Sequence, residues 1–368
     1  MYTKLVSAAG AITFLLATTV FAGTPLEVAE FLIAGNGANQ DGYRTNQDGY
    51  RTNQEKPQDK QAKTPQPSEG EAKAAAKVEA APDPAAKIQA ASEFVKKYPK
   101  STLRPKVAGY VATQINAVPD AAQKVTMLEN LQTVFKEPTD ADVINPLLID
   151  AYMKSTPPRL EDALRVASSV VAKNPEDLTS LTQIAVVGAE QAKKGDPKYI
   201  PQARQAGQKA IEIIGAGKKP ENFDDARWSE YQTKWLPVLH QAIGVIDILS
   251  GNKTEARTHL DKAAELNSSD PFTFVLLGTL ANDEYQKVAE QHKAQSAGPM
   301  KDELLKQAHG KMDQVIDFYA RAVAVATGKP DYQKLHDQVL SDLQTYWKYR
   351  HAGSLDGLQQ TIDKYKRP

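Results

Sequence analysis

The chain has 368 residues, 45 basic against 45 acidic side chains, and no cysteine. That balance leaves no global field to draw it to nucleic acid or to an anionic membrane. The missing thiols exclude disulfides, thiolate metal sites, a cysteine nucleophile and an N-terminal lipid-attachment cysteine. Length alone allows two or three domains, but a repeat array escapes that expectation because it grows by adding units.

Residues 1–22 read as a secretory signal peptide. Lys4 is their single charge, Leu5 to Phe21 is largely apolar, and Val20-Phe21-Ala22 approximates a small-x-small cleavage site before Gly23. The expectation is a periplasmic or secreted protein, cleaved after Ala22 and without a stable membrane span thereafter. The alternative is an uncleaved N-terminal anchor, since about 18 apolar residues just suffice to cross a bilayer. Residues 23–83 read as a disordered, low-complexity linker. They carry a perfect tandem, NQDGYRT at Asn39–Thr45 and again at Asn46–Thr52, with an Asp-Gly turn signal in each copy and almost nothing apolar. Two copies cannot bury a core, so the tandem is a duplication in a tolerant tail or a short tyrosine-bearing ligand motif. Residues 55–84 have the Lys, Glu, Gln, Pro and Ala content of a linker.

From residue 84 to 368 the periodicity is helical, and the alternation a strand needs is absent. Ile88, Ala91, Phe94 and Val95 form one stripe, Tyr98-Pro99 stops it, and Ser101 is placed to cap the next helix. The phrase from Phe94 to Ser101 resembles the end of a first helix in outer-membrane-assembly repeat lipoproteins, whose lipid-bearing cysteine is absent here. Residues 119–136 and 140–153 predict a helix pair, and Pro157-Pro158 breaks the chain after it. Ala163, Ala167 and Val170, with Pro175 closing, predict the next helix. Leu181, Ile184 and Ala185, then Ala203, Gly207 and Ala210, predict a further pair, delayed around Gly195-Asp-Pro197.

An aromatic-rich segment with Trp228, Tyr231 and Trp235 precedes the best-patterned stretch, His240 to Asp270. There Gly244, Gly251, Ala256, Leu260 and Ala263 fit two antiparallel helices joined at Gly251-Asn252. Gly244 and Ala256 belong at the crossing, where only a small residue lets backbones approach. Leu277-Gly278 then repeats Ile243-Gly244 at a distance of 34 residues. After Tyr285 the pattern is interrupted and resumes at Val315, Tyr319 and Ala322, which predicts two prolonged helices broken near Ser296-Ala-Gly-Pro299. Gly353, Leu355, Leu358, Ile362 and Tyr365 place an apolar stripe on a last, capping helix.

The period and the small-residue offsets resemble the tetratricopeptide repeat. The resemblance implies an all-α solenoid over 84–368, a right-handed superhelix of antiparallel helix pairs. It also implies a non-enzymatic scaffold that takes a protein or peptide partner on its concave face. In that family the first helix of each unit lines the groove. Matched position by position, this puts Val238, Gln241, Val245, Ile248 and Leu249 there, then Phe272, Val275, Thr279 and Asn282. The family's carboxylate clamp uses Lys and Asn at two of these positions. Here Gln241 and Val245, Val275 and Thr279, and Thr182 and Val186 stand in their place, so the clamp is not supported and the groove reads as mainly apolar. The expected partner-binding residues are Gln241, Val245, Phe272, Val275 and Thr279. Equally, Val238, Ile248 and Leu249 can pack on a neighbouring helix, and the Trp228/Trp235 segment is the alternative surface.

Chemistry is sparse. The six histidines include no pair at the i, i+4 spacing of a helical zinc site. There is no Gly-x-Ser-x-Gly elbow. Gly215-Ala-Gly-Lys218 lacks the earlier glycine of a phosphate loop, where Glu212 stands, and the following Ser or Thr, where Lys219 stands. No catalytic residue, metal ligand or cofactor is expected. Two further readings stay open: a chaperone-like envelope-assembly adaptor, and a helical-toroid hydrolase using acidic residues in the concavity.

Overall fold

The computed structural model describes residues 67–221 and 223–366, and among these the protein is all-α, with fourteen α-helices and no strand. The signal segment, the NQDGYRT tandem and most of the linker lie outside the described residues. The fold divides into two units, with the boundary between Gln183 and Ile184. The first contains α1 (Glu69–Ala80), α2 (Pro84–Lys97), α3 (Arg104–Asn116), α4 (Ala121–Val134), α5 (Pro138–Lys154) and α6 (Leu160–Lys173). Helix α7 (Leu178–Lys193) contains the boundary. The second unit continues with α8 (Ile200–Gly215), α9 (Asp225–Leu249), α10 (Lys253–Leu266), α11 (Pro271–Ala294), α12 (Pro299–Ala326), α13 (Gln333–Arg350) and α14 (Leu358–Asp363).

Local chemistry sets the helix starts. The carboxylates of Asp83, Asp120, Asp224 and Asp270 each accept a backbone N–H of the first turn, satisfying a donor that has no partner inside the helix. Pro84, Pro138, Pro271 and Pro299 open their helices at a position where a missing N–H costs nothing. In the first unit, α2 packs on α1, α3 and α4, while α5 packs on α3, α4 and α6. Its buried ion pair joins Arg104 on α3 to Asp140 on α5, with Nε at 3.1 Å and the terminal nitrogen at 2.5 Å from one carboxylate oxygen.

The second unit is a succession of antiparallel hairpins. Helices α9 and α10 pair, α10 packs on α11, α11 and α12 pair, and α12 packs on α13. Small residues stand at the crossings, as expected. Gly244 lies against Leu260, where an added Cβ would come to 2.8 Å from Leu260 Cγ. Gly278 lies against the ring of Tyr319. The expected break falls at Gln295–Gly298, between the long helices α11 and α12.

Four expectations are corrected. Residues 69–80, read as linker, form α1. Ser68 and Glu71 make a reciprocal capping box, Val78 is buried, and Lys87 Nζ donates at 2.7 Å to the carbonyls of both Glu79 and Ala81. Ser101 does not cap a helix in the expected way. Its hydroxyl accepts from Leu103 N–H at 3.2 Å, and α3 starts at Arg104. The aromatic-rich segment is not a preamble but the first half of α9, which runs on through Pro237. The last helix is only six residues long. Gly353 and Gly357 take positive φ of 93° and 83°, which stops a helix before Leu358 and leaves Leu355 40% exposed. Leu358 and Ile362 remain buried and close the end of the second unit.

Candidate functional site

Helix α11 exchanges side-chain hydrogen bonds with both α9 and α13. Asp270 caps its start, and the buried Gln241 side chain of α9 donates to Asp270 Oδ2 and, at 2.8 Å, to Thr273 Oγ1. Thr273 Oγ1 donates in turn to Asp270 Oδ2 at 2.8 Å. Asn282 stands nine positions beyond Thr273, or two and a half helical turns, and so points the opposite way. There its Oδ1 accepts from the Tyr346 hydroxyl of α13 at 2.6 Å. Thus polar side chains tie α11 to α9 on one side and to α13 on the other. A buried polar group left unpaired costs about 1–3 kcal/mol, so these ties also fix the register.

The side of α11 between those two directions carries Phe272, Thr279, Asp283 and Gln286, each half-buried. Phe272 meets the ring of Tyr332 edge-on, with centroids 5.7 Å apart. The Thr279 hydroxyl donates to the Val275 carbonyl at 3.0 Å, and Asp283 pairs with Lys253 Nζ at 2.5 Å. Of the five groove residues expected from the sequence, Phe272 and Thr279 retain exposure. Gln241 is 3% exposed and engaged by Asp270 and Thr273. Val245 and Val275 are 2% and 8% exposed, in the hydrophobic core. Asp283 and Gln286 complete the strip and were not among the expected five. Only the helical repeat of Phe272 and Thr279 pointed to them.

Next to this strip lie the buried phenols of Tyr319 and Tyr346 and the half-buried carboxyl of Asp342. Burial pushes the Asp342 carboxyl up from its ordinary value and holds the Tyr319 and Tyr346 phenols well above theirs, with the negative charges of Asp342 and Asp283 adding to the effect on both phenols. Burial likewise raises Asp270, against the pull of the donors from Thr273, Phe272 and Gln241.

The alternative aromatic surface divides. Trp235 is fully buried. Trp228 is half-buried and stacks on Tyr231 with an interplanar angle of 11°, and Arg227 lies 4.2 Å over the Phe223 ring. Among the described residues no group of three or more histidine or carboxylate side chains is arranged to hold a metal ion, and no helix is long and apolar enough to cross a membrane. No protein-family model matches this chain, and no curated protein matches it.

Proposed function

We propose that the chain is an exported helical-repeat scaffold of the tetratricopeptide kind, which holds a protein or peptide segment against the α11 strip. The observation that supports this is the polar tying of α11 to both α9 and α13. It gives Phe272, Thr279, Asp283 and Gln286 a fixed backing, so a partner meets a surface that needs little ordering. Phe272 supplies apolar area, at about 25 cal/mol per Å2 removed from water, while Thr279, Asp283 and Gln286 set the register of a bound backbone. Export to the periplasm or medium, with loss of residues 1–22, belongs to the same proposal. An intact mass that still includes those residues would defeat that part.

The test is site-specific photo-crosslinking in an envelope extract, with the probe at Thr279 or at the exposed Thr258 on α10. A discrete adduct at Thr279, absent at Thr258 and weakened by Phe272→Ala in a variant with unchanged circular dichroism, is the expected result. Equal adducts at both positions sink the strip. A broad smear at Thr279 alone would instead mark the adaptor for unfolded clients.

A further inference from the structure

Two of the six histidines, 19 positions apart in sequence, meet across the α9–α10 hairpin. His240 Nδ1 and His259 Nδ1 are 3.0 Å apart, with ring centroids at 5.2 Å and planes inclined by 39°. We propose that this pair is a binding site for a borderline divalent transition-metal ion of the Cu2+, Ni2+ and Zn2+ class, held by the two Nδ1 atoms and completed by water.

The geometry is close to what such an ion needs. Imidazole nitrogens bind at about 2.0–2.1 Å, and two such bonds at the tetrahedral angle set the nitrogens roughly 3.3 Å apart. A separation of a few tenths of an ångström beyond the observed one admits the ion between them. The rings are well placed for this. They sit on two helices whose backbones are drawn together by the Gly244–Leu260 contact, so neither ring has to be recruited from a loop. Both residues are half-buried, which leaves one side for coordinating water.

The neighbouring charges oppose one another. Asp247 is buried on α9, pairs with Arg204 of α8, and acts on His259 as a negative charge. Arg204 opposes a cation at His259, as Lys262 does at His240. Neutral imidazole favours copper, nickel and zinc, whereas magnesium and calcium demand oxygen ligands. The affinity order should therefore follow Cu2+ above Ni2+, with Mg2+ unbound.

The experiment is calorimetric titration of the untagged full chain with nickel chloride, and with magnesium chloride in parallel. One saturable Ni2+ equivalent and no Mg2+ binding are expected. His240→Asn and His259→Asn should each weaken Ni2+ binding at least tenfold, while His336→Asn and His351→Asn leave it unchanged. Absence of saturable Ni2+ binding, or wild-type binding in both hairpin variants, overturns the site and leaves a neutral imidazole–imidazole hydrogen bond in its place. If either variant misfolds, electron paramagnetic resonance of one Cu2+ equivalent on the wild-type chain decides. Superhyperfine coupling to two equatorial nitrogens supports the site, and coupling to one or none overturns it.

Discussion

The hairpins α9–α10 and α11–α12 use the same device with different cargo. Each first helix carries a glycine at the crossing, Gly244 or Gly278, 34 residues apart. Leu260 fills the first crossing and the Tyr319 ring the second. An aliphatic tip can change rotamer if crowded. A flat ring wedged against backbone cannot, and its hydroxyl is buried near Tyr346, with the half-buried Thr279 and Asp342 close by. The aliphatic crossing only packs, whereas the aromatic one also brings polar chemistry to the helix that carries the proposed binding strip.

The largest expected effect comes from crowding the aromatic crossing. Gly278→Ala should cost about 3 kcal/mol, at the top of the overpacking range, read as a shift in urea midpoint at unchanged slope. Removing a buried hydroxyl comes next. Tyr346→Phe leaves the buried Asn282 carbonyl short of its 2.6 Å donor and should cost about 1.5 kcal/mol. Gly244→Ala should cost about 1 kcal/mol, because Leu260 can turn away. If Gly244→Ala proves more damaging than Gly278→Ala, the contrast between ring and leucine is wrong. The smallest effect concerns Asp270. Its folded-state pKa is raised, so the native state takes up the proton first. The contribution to stability is full below the ordinary value of 3.8 and falls as pH rises through the raised value. Asp270→Asn keeps a capping side chain and should flatten that part of the stability–pH curve. The effect is small because the donors from Gln241, Phe272 and Thr273 still hold the ionised form. A curve of unchanged shape would show that Asp270 does not titrate in this window.

The fold was legible where a local rule acts alone. Glycine spacing located both crossings, and Ser296-Ala-Gly-Pro299 located the break between α11 and α12. It was illegible where two rules compete. The Ala, Lys and Glu run of Glu69–Ala80 suits a linker and a helix equally, and only the Ser68/Glu71 capping box distinguishes them. At the end of the chain, an apolar stripe reading as one helix was cut by Gly353 and Gly357. At the proposed strip, the residual exposure of Phe272 and Thr279 was legible, because their positions follow from helical register. The burial of Gln241 was not, because the partner that turns its amide inward, Asp270, lies 29 residues away. Nor does any short spacing announce His240 and His259, which only the hairpin brings together.

The three tryptophans, Trp228, Trp235 and Trp347, all stand in the second unit. Selectively excited indole fluorescence is therefore a reporter of one half of the described chain and is blind to the other. Far-ultraviolet dichroism, by contrast, sums helices from both. A denaturant titration followed by both signals distinguishes one cooperative transition from two. Superimposed curves mean that Arg104–Asp140 and the Gly278 crossing melt together. If the fluorescence transition departs from the dichroism, its midpoint belongs to Ile184 and beyond, and the remainder of the dichroism change measures the first unit. Trp347, its ring centroid 4.0 Å from that of His351, marks the closing end of the second unit within that signal.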